Sequence, residues 1–360
     1  MPKLFKSSSI FRFTLYFTFS IVFAPPSIFG QEFILLDSSQ RQASFRGLSM
    51  PSNEIAWVSG SKGTVGKSRD AGKTWEWVNP PGYENRDFRD IEAFDAQTAL
   101  VLAVDNPAVI LRTTDGGKNW ARVFFKDQEG MFLDAMDFAG KRGYAIGDPL
   151  KDRFYMLYSK NHGRTWKEVP FNNRPQPQPG DAIFAASGSN ILLTSRTVTG
   201  AKAAFATGGH QNKIWLLKGC LKKPGVKQTI RIPMMRGKNT TGINGMAVKD
   251  DFFFVTGGDF AVPQRPDSNF FVINTDLDRV RILPSFEGYK SGVAVSSDYR
   301  IIVCGTSGIA FGVPRKDENG LRHFGFRDFS QMPFHVVTMA PDEKYALLAG
   351  PAGRIAIVKW

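Results

Sequence analysis

The sequence predicts an all-β fold, a seven-bladed β-propeller built from four-stranded antiparallel blades. An apolar segment that ends in a Gly-rich or Asp/Asn-rich break recurs seven times. Dividing residues 31–360 by seven gives about 47 residues per repeat, the length of a four-stranded blade. The intervening runs alternate or are wholly apolar, and helical periodicity is almost absent. The seven segments are Ile55–Gly60, Ala99–Asn106, Tyr144–Asp148, Ala203–His210, Phe252–Asp259, Ile301–Gly305 and Tyr345–Gly350.

The composition excludes several other classes of protein. The chain is 42% hydrophobic and contains 31 Phe and 7 Trp, so it can bury enough apolar surface to offset the entropy of ordering. Only two cysteines occur, Cys220 and Cys304. Because they are few and far apart, they favour free thiols over a bridge and exclude a disulfide scaffold.

The first thirty residues differ from the rest of the chain. Lys3, Lys6 and Arg12 precede an apolar run over Phe13–Phe23, and the segment holds no acidic residue. A basic start followed by a short apolar run is typical of a secretory signal peptide, with an uncleaved membrane anchor as the alternative. We therefore expect a signal over residues 1–30 and one propeller domain over 31–360, in a secreted or periplasmic protein. No later segment is long and apolar enough to predict a transmembrane helix.

A short motif marks the first three repeats. It reads Ser/Thr-x-Asp-x-Gly-x-Thr/Asn-Trp, and it resembles the Asp-box of sialidase-type and related propellers. The carboxylate can accept backbone N–H groups of a tight turn, Gly can take a positive φ, and Trp can fill the blade core. The third copy has Asn in place of Asp, which still permits the turn. The structural box residues are Asp70 with Trp75, Asp115 with Trp120, and Asn161 with Trp166.

The strand order within a repeat predicts how the ring closes. In the second repeat we expect strands at Phe88–Asp95, Thr98–Asp105, Ala108–Thr114 and Trp120–Phe125. The chain ends on Gly353–Trp360, which corresponds to the third strand of the last repeat. Phe33–Leu36 is then the expected fourth strand, and its pairing would remove the open sheet edge.

Several segments beyond the boxes carry a further resemblance. They are Asp87–Asp95, Asn106–Ala108, Glu129–Phe138, Gly147–Pro149, Gly257–Asp259 and Gly353–Ala356. With these segments, the whole chain after residue 30 resembles the photosystem II stability/assembly factor family in its non-photosynthetic bacterial branch. The resemblance implies a seven-bladed propeller that acts as a noncatalytic scaffold and holds a partner protein during assembly. The basic patch of the photosynthetic members has no position-by-position match here.

The predicted topology sends two sets of loops to the mouth of a central funnel. Polar residues on these loops either cap turns or form a binding site of mixed charge. If the funnel is catalytic, Asp148 and Asp259 are candidates for a glycoside hydrolase pair about 5–10 Å apart. We assign no catalytic residue and expect no cofactor or metal, because the four histidines lack metal-ligand spacing. The candidate mouth residues are Arg86, Arg89, Asp105, Asn106, Glu129, Asp148, His210, Asp259, Tyr289 and Lys290.

The positive charge is concentrated in one stretch. The chain has a net charge of +13, and Ala182–Lys249 holds eleven basic residues and no acidic one. This stretch is either a solvated face or a docking surface for acidic lipid, an acidic polysaccharide or an acidic partner protein. Nucleic acid is disfavoured because few aromatic residues interleave the lysines. We expect a monomer that binds a protein client, an anionic surface or a glycan. The predicted basic patch is Lys213, Lys218, Lys222, Lys223, Lys227 and Arg231.

Overall fold

The computed structural model describes residues 31–36, 41–198, 200–266, 269–274, 279–282, 286, 288–316 and 322–360. The predicted signal peptide, residues 1–30, lies outside these ranges. Within them the regular structure is 29 strands and one short 3₁₀ turn, η1, at Phe171–Asn173. None of the described elements is a helix that is long and apolar enough to span a membrane.

The strands are short and follow one another closely. The first thirteen are β1 (Glu32–Leu36), β2 (Phe45–Ser49), β3 (Ala56–Gly60), β4 (Val65–Ser68), β5 (Glu76–Trp77), β6 (Phe88–Ala93), β7 (Ala99–Ala103), β8 (Ala108–Thr113), β9 (Ala121–Lys126), β10 (Leu133–Ala139), β11 (Arg142–Leu150), β12 (Arg153–Ser159) and β13 (Lys167–Glu168). The next nine are β14 (Asp181–Ala182), β15 (Ile191–Val198), β16 (Ala201–Gly209), β17 (Lys213–Cys220), β18 (Lys223–Arg231), β19 (Thr241–Lys249), β20 (Phe252–Asp259), β21 (Phe270–Asn274) and β22 (Arg279–Ile282). The last seven are β23 (Gly292–Val295), β24 (Ile301–Gly305), β25 (Gly308–Lys316), β26 (Arg322–Ser330), β27 (Val336–Met339), β28 (Tyr345–Ala349) and β29 (Ile355–Lys359).

These strands form five four-stranded antiparallel sheets and one larger sheet. The first sheet is β2–β5, the second β6–β9, the third β10–β13 and the fifth β23–β26. The fourth, which we call the large sheet, has nine strands, β14–β22. The last sheet has the order β1-β29-β28-β27. The prediction of an all-β chain of four-stranded antiparallel sheets is confirmed at this level.

The seven repeated apolar segments of the sequence all lie on strands. They correspond to β3, β7, β11, β16, β20, β24 and β28. The strands predicted for the second repeat agree with β6–β9 to within two residues at each end.

Two consecutive antiparallel runs within the large sheet, β15–β18 and β19–β22, are joined by one residue pair between β16 and β19, Gly208 with Gly242. A Cβ added to Gly242 would lie 2.4 Å from Cα of Gly208, and φ of Gly242 is +143°. Both the approach and the backbone angle therefore require glycine at position 242.

The beginning and the end of the described chain meet in the last sheet. β1 pairs antiparallel with β29 in an unbroken register from Glu32–Lys359 to Leu36–Ile355. Nζ of Lys359 also donates to Oε2 of Glu32 at 2.9 Å. The pairing has the partners and direction that the sequence predicts for Phe33–Leu36.

The core lies between sheets. The first and second sheets share a buried cluster around Trp57 and Phe88, and the second and third share one around Leu102 and Leu133. The last sheet packs on the first in the same way, with Leu347 beside Phe45 in one cluster. Each sheet is therefore apolar on both faces, which explains the wholly apolar runs in the sequence.

Candidate functional site

The three box motifs form turns between the third and fourth strands of the first three sheets. In the first, Asp70 accepts hydrogen bonds from Thr74 N at 2.8 Å and from Thr74 Oγ1 at 2.6 Å. Ser68 Oγ donates to Asp70 Oδ1 at 2.8 Å and accepts from Gly72 N at 2.8 Å. The aspartate thus binds the turn that follows it, as its position in the motif predicts.

The other two turns repeat this network. Asp115 accepts from Asn119 N at 2.9 Å and from Asn119 Nδ2 at 2.7 Å. Asn161 Oδ1 accepts from Thr165 N at 3.0 Å, so asparagine replaces aspartate without loss of the backbone contact. The box side chains form their hydrogen bonds within their own turns. We therefore assign the boxes a structural role in the sheets rather than a role in ligand binding.

A cavity of about 580 Å³ is the candidate site, and we call it the funnel cavity. Its lining combines charged, polar and aromatic side chains from strands and adjoining loops of all six sheets. The segment Gly180–Ala186, which precedes the first long strand of the large sheet, forms part of the wall. The other lining residues are Arg46, Arg89, Phe132, Asp148, Asn239, Asn244, Phe260, Tyr289, Thr306 and His335.

A β-bulge places the two arginines in the funnel cavity. In β2 the residues Phe45 and Gly47 pair with Gly60 and Ser59, which leaves Arg46 as the extra residue. Arg89 is the extra residue of β6 by the same register shift. A bulge turns a side chain away from the regular alternation of its strand.

Two further inner strands carry a bulge at the corresponding position. The extra residue is Asn244 in β19 and Asp134 in β10. Asn244 lines the funnel cavity, and Asp134 is fully buried. The fold therefore repeats one backbone irregularity in four strands and directs a polar residue inward at each.

The two arginines differ in their ionic partners. Arg89 Nε donates to Asp87 Oδ2 at 2.8 Å. Arg46 is paired with no described carboxylate, and its one hydrogen bond runs from Nη1 to Ala186 O at 3.5 Å. Burial and then the Arg89 charge lower the pKa of Arg46 from its ordinary value, while Tyr289 and the Asp87 carboxylate act in the opposite direction. The cavity thus holds a half-buried cation that forms no direct ion pair with a described carboxylate.

Two neighbours of the arginines, His335 and Tyr289, are neutral at physiological pH. Burial, followed by the charges of Arg46, Arg89 and Arg354, lowers the pKa of His335 to about 3. Tyr289 donates its hydroxyl to Asn244 Oδ1 at 2.8 Å. These groups offer hydrogen bonds without cancelling the positive charge.

Aromatic side chains surround the cavity beside these polar groups. Phe260 is 44% exposed, and its ring lies 5.7 Å from Phe184 and 6.4 Å from Tyr289. Phe132 packs under the guanidinium of Arg89, with 5.9 Å between Cζ and the ring centroid. An exposed aromatic beside a cationic cavity suits a ligand that has both an apolar and an anionic part.

The acidic groups of the cavity are Asp148 and Asp181. Asp148 Oδ1 accepts from Ile183 N at 2.8 Å, and burial raises the pKa of Asp148 to about 6. Asp181 Oδ2 is paired with Lys213 Nζ at 3.2 Å. Asp259 does not line the cavity. The two carboxylates that a glycoside hydrolase would need, Asp148 and Asp259, are therefore not both present in the funnel cavity.

Three of the ten predicted mouth residues, Arg89, Asp148 and Tyr289, line the funnel cavity. Arg86, another of the ten, does not line the cavity. Its Nη2 donates to the carbonyl oxygens of Val104, Asp105 and Pro107 at 2.7, 3.1 and 2.6 Å, so this side chain holds a loop in place. Lys290 is fully buried and donates to Ser307 Oγ at 2.7 Å, so its assignment to the mouth is wrong.

The remaining predicted mouth residues lie elsewhere. Asp259 is buried and accepts from Ala261 N at 3.0 Å. Asn106 Nδ2 donates to Asp127 Oδ1 at 2.8 Å and so joins the β7–β8 loop to the segment after β9. Asp105, Glu129 and His210 are exposed but do not line the cavity. Asp259 caps a turn, which is the alternative that the sequence left open.

Arg46 and His335 were missed from the sequence. The signal for Arg46 is its repeat equivalence to Arg89, because Phe-Arg opens both β2 and β6. His335 lies just before β27 and binds Ser44 Oγ through Nε2 at 3.2 Å, across 291 residues of sequence. No local pattern predicts that contact.

A smaller cavity of about 140 Å³ holds three carboxyl groups, Asp90, Glu92 and Asp137. Asp90 Oδ2 accepts from Met136 N at 2.6 Å, and Asp137 accepts from Leu193 N. Each aspartate thus bonds the inner strand of the next sheet. Burial raises the pKa of Asp90 to about 8 and that of Asp137 to about 7. Burial, and then the charges of Asp137 and Asp90, raise the pKa of Glu92.

The predicted basic patch lies mainly on the β17–β18 hairpin. Lys218, Lys222, Lys223, Lys227 and Arg231 are exposed there. Lys213 is the exception, because it is buried against Asp181 and its ammonium lies 5.4 Å from the Trp215 ring centroid. Its inclusion in a surface patch is therefore wrong. No group of three or more His, Cys, Asp or Glu suited to a metal ion occurs in the part of the chain that the structure describes.

Comparisons of the sequence with known proteins point to one family. A model of the photosynthesis system II assembly factor YCF48 family matches residues 39–129 and 85–215. The photosystem II stability/assembly factor HCF136 of the Arabidopsis thaliana chloroplast is 25% identical over 205 residues, which are 56% of this chain. The match covers 45% of that relative, so the chain spans about half of its length.

Solved structures show the same fold at low identity. YCF48 bound to D1 peptide superposes with a TM-score of 0.57 at 13% identity, over 92% of this chain and 97% of that one. YCF48 from Cyanidioschyzon merolae gives 0.55 at 14% identity, over 91% and 98%. The WD40 β-propeller domain of Doa1 gives 0.59 at 12% identity, over 91% and 97%. The last match shows that the propeller fold alone does not separate functions.

Proposed function

The chain is a photosystem II assembly factor-like propeller, and we propose that it is a noncatalytic scaffold that binds a segment of a client protein in the funnel cavity. The observation that carries this proposal is one cavity of about 580 Å³ that holds Arg89, the exposed Phe260 and Arg46, which forms no direct ion pair with a described carboxylate. A buried cation without a counter-ion costs stability, so a ligand that supplies the anion gains affinity. The client segment is therefore acidic and carries an apolar side chain.

We infer that the client is a protein from the similarity to the photosystem II assembly factor family. One of the solved structures of similar fold is YCF48 bound to D1 peptide. It superposes on 92% of this chain. The funnel cavity is wide enough for a few side chains of an extended segment.

We also propose that the chain forms a closed ring of seven blades. Two antiparallel runs of four strands lie within the large sheet, and with the five four-stranded sheets they make seven groups. The β1–β29 pairing and the cluster shared by the first and last sheets support closure. We further propose that residues 1–30 direct secretion or periplasmic export and are removed, as their basic and apolar pattern indicates.

A second surface supplements the funnel cavity in this proposal. The exposed cations of the β17–β18 hairpin attract an anionic partner or surface and orient it before the segment enters the cavity.

The test compares three forms of residues 31–360 as bait in extract from the source cells, with a short crosslinker and identification of the captured proteins. The forms are the parent, Arg46→Gln with Arg89→Gln, and Lys73→Glu with Lys118→Glu as a matched loss of two cations elsewhere. Synthetic overlapping peptides of the captured protein are then titrated by calorimetry. The proposal predicts an acidic peptide that binds the parent and the Lys73/Lys118 variant but loses at least tenfold affinity for the Arg46/Arg89 variant. Equal binding by all three forms contradicts it, as does turnover of aryl glycosides by the parent.

A further inference from the structure

The β17–β18 hairpin ends the large sheet in a long outer strand. β18 has nine residues, as has β26 at the edge of the fifth sheet, whereas β5 and β13, which end the first and third sheets, have two each. It is at the end of the strand order of the large sheet and pairs only with β17. A long edge strand presents a row of backbone N–H and C=O groups to any extended chain that reaches it.

The exposed cations of the hairpin are not neutralised by the described parts of the protein. Lys218, Lys222, Lys223, Lys227 and Arg231 form none of the ion pairs among the described residues. Their charge is therefore available to a partner.

A β-bulge at Lys227 divides β18, and the residues after it alternate regularly. Ile230 is buried in the cluster that joins the two halves of the large sheet. Thr229 and Arg231 are exposed on the other face, and Lys227, the extra residue of the bulge, is exposed as well. Carboxylates of an added strand could therefore face the cations of this edge.

The hairpin is held in place without a partner. Tyr144 donates its hydroxyl to Leu221 O at 3.1 Å, and Asn173 Nδ2 donates to Lys222 O at 3.3 Å. Both bonds fix the tip of the hairpin to the third sheet and the turn η1. Because the edge is already ordered, the addition of a strand to β18 costs little conformational entropy of the hairpin.

We propose that β18 receives an acidic, extended polypeptide segment as an additional edge strand, with carboxylates that face Lys227 and Arg231. Lysines on an edge strand oppose pairing with another copy of the same strand because like charges meet. The same charges favour an acidic strand, so the hairpin selects its partner by charge and holds it by backbone bonds. The inference rests on the proposed anionic partner and names its form.

The test uses two synthetic nonapeptides, acetylated and amidated, titrated by fluorescence anisotropy at low salt. One alternates Glu with Val, and the other has the same glutamates with Pro in place of each Val. The proline peptide keeps the charge but lacks half of the N–H donors and cannot form a strand. Strand addition predicts at least tenfold tighter binding of the valine peptide. It also predicts slower amide hydrogen exchange over 223–231 with the valine peptide only.

Three variants separate this site from the funnel cavity. Lys227→Glu with Arg231→Glu should lose at least tenfold affinity for the valine peptide, and Lys73→Glu with Lys118→Glu should keep it. Arg46→Gln with Arg89→Gln should also keep it. Equal binding of the two peptides overturns the inference and points to a diffuse anionic attraction, such as that of a vesicle or polysaccharide. Retained binding by the Lys227/Arg231 variant with loss in the Arg46/Arg89 variant also overturns it, while it supports the proposed funnel site.

Discussion

Arg46 and Arg89 are equivalent residues of neighbouring sheets: each follows the phenylalanine that opens its inner strand and is the extra residue of a β-bulge. The bulge sends both guanidinium groups into the same cavity, but among the described residues only Arg89 forms a direct ion pair, with Asp87. Arg46 therefore combines a structural cost with a capacity to bind an anion.

The first prediction is that Arg46→Gln stabilises the protein while it weakens binding. Removal of an unneutralised, half-buried cation should raise the free energy of unfolding by about 1 kcal/mol. Arg86→Gln is the matched control, because Arg86 donates to three carbonyls and its loss should destabilise. Urea unfolding of both variants measures the difference. A destabilised Arg46→Gln protein would show that this arginine is structural.

The second prediction concerns the pH dependence of ligand binding in the funnel cavity. Burial raises the pKa of Asp148 to about 6, so the cavity gains a negative charge as the pH rises through that value. Affinity for an acidic segment should fall between about pH 5 and pH 7. Asp148→Asn keeps an oxygen for Ile183 N and should flatten the profile. Calorimetry measures the affinity of both proteins across this pH range. If the affinity of the variant falls with pH as steeply as that of the parent, another group causes the effect.

The third prediction is that Glu92→Gln stabilises at high pH. A carboxyl whose pKa is raised on folding favours the folded state at low pH and loses this contribution as the pH rises. Glu92 and its neighbours Asp90 and Asp137 all have raised pKa values. The variant should melt several degrees above the parent at pH 8 and with the parent at pH 4. Glu129→Gln, at an exposed site, is the control and should change neither melt.

The fourth prediction tests the second box turn through acid stability. Hydrogen bonds from Asn119 N and Nδ2 lower the pKa of Asp115 to about 2. A carboxyl whose pKa is lowered on folding stabilises above its unfolded value near 3.8 and loses this contribution as the pH falls through about 2. Asp115→Asn, which copies the third box, should melt below the parent at pH 6, and the difference should shrink towards pH 2. A difference that is constant with pH contradicts this account.

The fifth prediction concerns the contact between the last and first sheets. Leu347 is fully buried in the cluster they share, and a Cβ on Gly72 of the first box would approach its side chain to 2.7 Å. Leu347→Ala should cost about 2–5 kcal/mol in free energy of unfolding. Leu35→Ala removes the same atoms from a side chain that is 48% exposed and should cost far less. Equal losses would mean that the two sheets do not share a core.

The all-β fold was predictable because its signal is repeated. A single predicted strand is weak evidence for the fold. Three boxes at nearly equal spacing, together with seven apolar segments, are strong evidence. The box turns were also predictable, since Asp70 and Asp115 bond residues within four positions of themselves.

The funnel cavity was less predictable for a physical reason. A bulge shifts the alternation by one residue, so it moves Arg46 to the other face of its strand without any change in composition. Lys290 and Lys213 were misassigned because their buried partners, Ser307 and Asp181, lie 17 and 32 residues away. Charge in the sequence does not show whether such a partner exists in the fold.

The β1–β29 pairing has a consequence for synthesis of the chain. β1 leaves the ribosome more than 300 residues before its partner strand. At about 5–20 residues per second, β1 waits tens of seconds without a partner. Every other sheet can form from strands made close together in time. The nascent chain therefore spends most of its translation with one exposed strand, and that interval is when a chaperone or a misplaced strand competes for it.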